Sequence, residues 1–369
     1  MTGAKARLDA IYADPEDALR CHKAAGGLVV GYLGATVPVE LIAAAGALPV
    51  RLKGGPQAET PLADRYMEPV REAYLRRIFD RLLAGAYQDL DALVIARASE
   101  GLLQFHHLLD HVRSVDLGLP LPRIVFLDIL RTPTELSARY NRDRLAEFCD
   151  TLGEVGSVLT DAAVRDCIDA SNHARAMFRT ICTNPGLDGS TRLKLATAGQ
   201  VLPVSEFVDL MQQLGEGDRQ PGGPRIALTG SPQERPGLYD LLEARGASVI
   251  GEDHDWGERL YEADVPSAGD ALRDLAEHYQ HHAPGPRQMA PRPPEQTLGG
   301  TTPDAVIAYY EENDDTLGWD YPMHRDRLAA SGIPSLVLRG GSDGALAPGE
   351  DTRLDAFLST LAQNPAVAR

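Results

Sequence analysis

A chain of 369 residues, 43% hydrophobic and 24% charged, has the composition of a soluble globular protein and is long for one core, which suggests two or three domains. A net charge of −17 with no Lys/Arg cluster argues against a nucleic-acid surface, and a phosphate-bearing ligand would need a local basic patch. No run of about twenty apolar residues is present to span a membrane, and the opening MTGAKARLDAIYADPEDALR lacks a signal core and is too acidic for a transit peptide, so the expected location is the cytoplasm.

Residues Ala4–Ala25 read as an amphipathic helical start, interrupted near Asp14–Pro15. The stretch Gly27–Gly54 (GLVVGYLGATVPVELIAAAGALPVRLKG) then reads as strand, short helix, strand. Leu28–Leu33 is a continuous apolar run, suited to a strand buried on both faces. Gly34 permits a tight turn, and Thr36 is the expected N-cap of a helix over Val37–Ala45, with Pro38 in its first turn. Gly46 ends that helix before the strand Leu48–Leu52. The turn Gly34, Ala35, Thr36 falls at the carboxyl end of the first strand, where open α/β sheets bind ligands.

A helix is expected from Pro69 to Ala84, a strand at Leu90–Ala96, a helix at Gly101–Val112 and a strand at Pro122–Leu130. From Thr132 to Leu214 no strand signal occurs, and helices are expected at Thr134–Ser137, Arg142–Leu152, Ala162–Ile181 and Ser205–Leu214. The loop Gly215–Pro224 (GEGDRQPGGP) is the clearest boundary. A second alternation follows: strands Ile226–Leu228, Ser248–Gly251, Ala305–Tyr310 and Ser335–Arg339, with helices Gly237–Arg245, Ala268–His282, Tyr321–Ser331 and Asp351–Ala362. A Pro-rich excursion, His282–Thr302, reads as a surface loop or lid. The expectation is α/β: two doubly wound Rossmann-like parallel-sheet domains (residues 1–131 and 221–369) with a helical segment, residues 132–220, between them.

Cys21, Cys149, Cys167 and Cys182 lie far apart in helical surroundings, which reads as structural thiols rather than a disulfide or metal set. His107 and His111 stand four apart on one helix but lack a third ligand nearby, so a solvated face is expected; His278, His281 and His282 read as a surface cluster. Thr229-Gly-Ser and Gly340-Gly-Ser-Asp-Gly are turns after strands, with no Walker lysine and no full Gly-x-Gly-x-x-Gly.

The segment GYLGATVPVELIAAAGALPVRL resembles the opening motif of the 2-hydroxyacyl-CoA dehydratase and benzoyl-CoA reductase family. Gly31–Tyr32, Val37–Pro38, Glu40–Leu41–Ile42, Ala44–Ala45–Gly46 and Pro49–Leu52 carry the match, while Gly34–Ala35 stand where members have Cys-Ser. The resemblance implies a [4Fe–4S] cluster held by three cysteines, from three motifs that can be located here. In Arg71-Glu-Ala-Tyr-Leu-Arg-Arg-Ile-Phe-Asp80 the first cysteine is Glu72, and Arg76 is kept. In Val94-Ile-Ala-Arg-Ala-Ser-Glu100 the second is Ser99. In Glu252-Asp-His-Asp-Trp-Gly257 the third is Asp255. Thiolates suit iron as soft, charged donors, and two carboxylates and a hydroxyl do not. The expectation is therefore no cofactor and no metal in this chain.

The resemblance implies a clusterless subunit that helps to form an acyl-CoA site beside a cysteine-bearing paralogous subunit that bears [4Fe–4S], with an ATP-dependent activator as a further partner; the acidic charge balance and the lack of an apolar span lead to the expectation of neither nucleic acid nor membrane. The candidate site is Gly34, Ala35, Thr36 and Arg76 for binding, with Glu72, Ser99, His254 and Asp255 as candidates for chemistry. Two other readings stay open: a stand-alone small-molecule-binding or scaffold protein on the same fold, and a redox-free enzyme. For the second, Glu72, His254 and Asp255 are hard donors for a divalent cation or an acid–base set. The cleft carboxylates are expected to be solvated, protonated or paired with Arg76 or Arg97.

Overall fold

The apolar runs form two four-stranded, all-parallel sheets. In the first, β1 (Leu28–Leu33), β2 (Ala47–Arg51), β3 (Ala92–Ala96) and β4 (Ile124–Leu127) lie in the order β2-β1-β3-β4, with Leu28 opposite Ala47, Val30 opposite Ala92 and Leu93 opposite Ile124. In the second, β5 (Arg225–Gly230), β6 (Ser248–Glu252), β7 (Ala305–Glu311) and β8 (Ser335–Gly340) take the order β6-β5-β7-β8. The two halves thus repeat one strand order, with the topological switch between their first and third strands. The computed structural model describes residues 2–55, 57, 59–116, 118–214, 222–282, 293, 295–312, 314–319 and 321–363. Residues 215–221 of the expected boundary loop Gly215–Pro224, and most of the Pro-rich stretch, lie outside these.

The helices are α1 (Thr2–Ala13), α2 (Asp17–Ala24), α3 (Val39–Ala44), α4 (Ala73–Leu83), α5 (Glu100–Val115), α6 (Glu135–Val155), α7 (Asp161–Cys182), α8 (Gly189–Ala198), α9 (Val204–Leu214), α10 (Gly237–Ala244), α11 (Ala271–His281), α12 (Asp315–Gly318), α13 (Tyr321–Ala330) and α14 (Glu350–Ala362). Alternate residues of the first sheet feed two cores, because side chains along a strand point to opposite faces. Val29, Leu33, Leu93 and Ile95 pack with Leu75, Ile78 and Phe79 of α4 and Phe105 of α5. Val30, Tyr32, Val94 and Ala96 pack with α3, α6, α7 and α11 through Leu41, Phe148, Ile168 and Leu275. In the second sheet one face is covered by α10 and α14, and Leu328 of α13 reaches the other.

Four details depart from the expectations. Helix α3 starts at Val39 with Pro38 as its N-cap (φ −72°, ψ 90°) and no side-chain cap, in place of a start at Val37 capped by Thr36. The residue before a proline is pushed out of the helical region, which delays the helix past Val37. The two helices expected at 134–152 are the single α6, capped by Thr134. Helix α8 was not expected; it is buried along almost all of its length, so its sequence shows no polar face. His278 belongs to no surface cluster, since it is 5% exposed and lies between α11 and its neighbours. By contrast, His107 and His111 are exposed, as expected.

Helix α11 joins β6 to β7 in sequence, yet it packs on α6 and α7. There Arg175 of α7 is paired with Glu40 of α3, and Tyr279 of α11 donates to the other Glu40 oxygen at 2.8 Å.

Candidate functional site

The carboxyl edges of the two sheets face one another, and charged pairs join them. Arg51, the last residue of β2, reaches across to the loop after β6. Its guanidinium donates to the Asp255 carbonyl oxygen at 2.5 Å and to Asp255 Oδ2 at 3.1 Å. Both side chains are buried, and the guanidinium lies 3.5 Å from the centroid of the Trp256 ring. Arg77 of α4 pairs with Glu234 in the loop after β5, and Arg235 donates to the Gly55 carbonyl. Tyr74 of α4 meets the Trp256 ring edge-on at 5.9 Å. Arg131, just past β4, is close enough to feel both Arg259 and Asp255.

Several predicted residues come together here. Gly34 has φ +91°, and a Cβ on it would press on Ala96, Ala98 and Leu102, so the first turn rests on the start of α5. A Cβ on Gly101 would collide with the Glu72 carboxylate. Glu72, Ser99 and the Gly34 turn are therefore neighbours at one sheet edge. The Ser99 hydroxyl caps α5, accepting from Leu102 N at 3.2 Å. Glu72 is the N-cap residue of α4, and its carboxylate makes no hydrogen bond or ion pair among the described residues. The charges of Glu72 and Asp255 both reach Tyr74.

Others are placed elsewhere. His254 turns into the core of the second half, where Nε2 is 2.8 Å from the Tyr239 hydroxyl and Nδ1 accepts the Trp256 N–H at 3.3 Å. Burial lowers it to about 4, so the ring is neutral near pH 7, with its proton on Nε2. Arg76 donates to the Met67 carbonyl and the Thr60 hydroxyl and pairs with Asp64, fixing the segment at 60–67. Arg97 pairs with Asp128 at 3.5 Å. The partner of Asp255 is thus Arg51, in place of the expected Arg76 or Arg97. No group of three or more His, Cys, Asp or Glu side chains is arranged to hold a metal among the described residues. The cysteines sit on α2, α6 and α7 and not on the loops at the sheet edges.

Sequence reasoning missed Arg51, Arg77, Glu234, Trp256 and Glu311. Arg51 had a local signal, since it stands in the Pro-Val-Arg-Leu run and is the last residue of its strand. Glu311 ends β7 and has no hydrogen-bonded or ion-paired partner for its carboxyl group among the described residues. Burial, then the charges of Asp314 and Glu234, push it up to about 7; Glu72 is among the further charges that reach it. A carboxyl group raised on folding contributes stability that is present below its unfolded value of 4.5 and lost as pH rises through about 7. Glu311→Gln is expected to remove this loss, on the order of 3 kcal/mol, from urea unfolding measured between about pH 5 and 8. An unchanged pH slope would place the titration elsewhere.

The family model described as 2-hydroxyglutaryl-CoA dehydratase, D-component, matches residues 35–361, nearly the whole chain. The chain belongs to this family. Similar curated proteins are the beta subunit of (R)-2-hydroxyglutaryl-CoA dehydratase from Acidaminococcus fermentans, 22% identical over 267 residues (69% of each chain), and the beta subunit of lactoyl-CoA dehydratase from Anaerotignum propionicum, 22% identical over 376 residues (96% of this chain and 98% of the relative). A benzoyl-CoA reductase subunit from Thauera aromatica is 25% identical over 303 residues (75% of each). Within the D-component family, the match begins at Ala35, on the turn that borders Glu72 and Ser99.

Proposed function

We propose that this chain is a subunit, without a cluster of its own, of a 2-hydroxyacyl-CoA dehydratase or benzoyl-CoA reductase-like complex. It helps to form an acyl-CoA site beside a paralogous subunit that bears [4Fe–4S], with an ATP-dependent activator serving the complex. The observation that carries this reading is the donor chemistry at the facing sheet edges. The positions that correspond to the family's thiolates are Glu72, Ser99 and Asp255. Ser99 is committed to a helix cap and Asp255 to Arg51. These residues do not fit an iron–sulfur cluster, which needs soft anionic sulfur. The names of the relatives support a partner, since each is a subunit of a dehydratase or reductase.

The test is anaerobic reconstitution of the purified chain with iron and sulfide, followed by co-purification from the native host. The expected outcome is a colourless chain that retains no stoichiometric iron and emerges from the host with a cysteine-bearing paralogue. A brown chain with a full cluster would overturn the clusterless role. A lone monomer of 39.8 kDa would favour a stand-alone binding protein.

One observation favours a second reading, redox-free acid–base chemistry. Burial pushes Glu311 up to about 7 where the charge of Glu72 reaches it, and such a carboxyl group suits general acid–base work near neutral pH. Turnover of an acyl-CoA by the isolated chain, abolished in Glu311→Gln, would select it.

A further inference from the structure

Lysine is scarce in this chain: four (Lys5, Lys23, Lys53, Lys194) stand against 53 acidic residues. Three have a carboxylate in reach. Lys5 is 3.7 Å from Asp188, Lys23 is 3.0 Å from Asp91, and Lys194 is 2.8 Å from Asp9. Lys53 is different. It is 8% exposed, and its ammonium makes no hydrogen bond or ion pair among the described residues. That ammonium lies 4.2 Å from the centroid of the Tyr12 ring and 6.0 Å from that of Trp256. The carboxylate whose charge reaches it, Glu234, is held by Arg77, and Arg235 and Arg51 add like charge. Burial is the largest cause that lowers Lys53, to about 8.

The position also matters. Lys53 follows the end of β2 by two residues, at the edge where Arg51 crosses to Asp255 and Trp256. A buried ammonium facing aromatic rings with no carboxylate in direct contact is costly, and buried lysines of lowered basicity serve as nucleophiles. We propose that Lys53 is the nucleophilic amine of this chain, acylated by acyl thioesters ahead of the other three lysines. The neutral amine adds to the thioester carbonyl carbon; a C–N bond forms and the C–S bond breaks. The thiolate leaves and takes up the proton released from nitrogen, so no oxidant or reductant is needed. The amide product is uncharged, which removes the buried charge and favours the adduct.

The choice of thioester rests on the acyl-CoA reading above, whereas the reactivity of the amine does not. The full chain is incubated with acetyl-CoA and, separately, with a trace of acetic anhydride. Acetylation at each lysine is read by peptide mass spectrometry, and equilibrium dialysis with acetyl-CoA is run alongside. Lys53 is expected to lead the other lysines by at least about tenfold with both reagents, with a rate that levels off above about pH 8 while theirs keep rising. No preference for Lys53 with either reagent overturns the proposal. Preference with the anhydride alone also overturns it, because the thioester then fails to reach the amine. Acetyl-CoA bound in dialysis without acylation of Lys53 removes the proposal and leaves the acyl-CoA reading standing. Absence of both binding and thioester acylation counts against both. The Lys53→Arg variant, which keeps the charge, is expected to lose this label and retain those on Lys5, Lys23 and Lys194.

Discussion

Arg175→Met is expected to destabilise the protein by about 3–5 kcal/mol, because it strands a buried carboxylate. Glu40 is fully buried, and its charge is met by Arg175 and by the Tyr279 hydroxyl. Burial alone would raise Glu40, but the charge and hydrogen bond of Arg175 outweigh it and hold the carboxyl group below its usual value. The neighbouring His278 is lowered to about 4, first by burial and then by Arg175, so in the native protein its ring is neutral near pH 7 and Arg175 is the cation that faces Glu40. The sign of the pH dependence should reverse in the variant. In the native protein a depressed carboxyl contributes stability above its unfolded value of 4.5, lost as pH falls through the folded value. Without Arg175, burial raises Glu40, and stability should be greatest in acid and fall as pH rises. Urea midpoints at about pH 5 and 8 read the change, because over that range the Glu40 contribution is flat in the native protein and falls in the variant. A variant with the native slope would mean that Glu40 is solvated.

Arg51 and Asp255 should behave as a pair across the cleft. Arg51→Met and Asp255→Leu are each expected to cost about 3–5 kcal/mol, and the double variant to be neutral or up to about 4 kcal/mol more stable than the native chain. Removing one partner leaves a buried charge, whereas removing both also removes the desolvation cost. Trp256 reports locally, since it is 3% exposed beneath the Arg51 guanidinium while the other tryptophan, Trp319, is 81% exposed. Its emission should shift in Arg51→Met. Single variants within about 0.5 kcal/mol of native would show that the pair is not desolvated.

The strands were legible because a strand covered on both faces is written as an unbroken apolar run, as in LVVGYL and LDALVIA. Alternation with helices then gave the parallel order. Helix α8 was not legible, since GSTRLKLATA is buried nearly all round and carries no period of 3.6. Turn chemistry at the sheet edges placed Gly34, Glu72 and Ser99 side by side, because the carboxyl ends of neighbouring strands meet by topology. The partner of Asp255 was not legible. Arg51 lies 204 residues away, and no local pattern records which of two facing edges supplies the cation. His278 read as a surface residue because a histidine beside acids reads as polar, and only packing reveals that its ring is dry.

Helix α11 gives the second half a part in covering the first. It starts at Ala271, about 140 residues after β4 ends at Leu127, so roughly 7 to 30 seconds of translation separate the first sheet from the helix that closes over α6 and α7. Until Tyr279 leaves the ribosome, Glu40 lacks the hydrogen bond from its hydroxyl, and Leu275 is missing from the core beside Phe148. The nascent first half is thus an open layer with a charged centre, and the last stage of its assembly belongs to residues encoded on the far side of the middle helices.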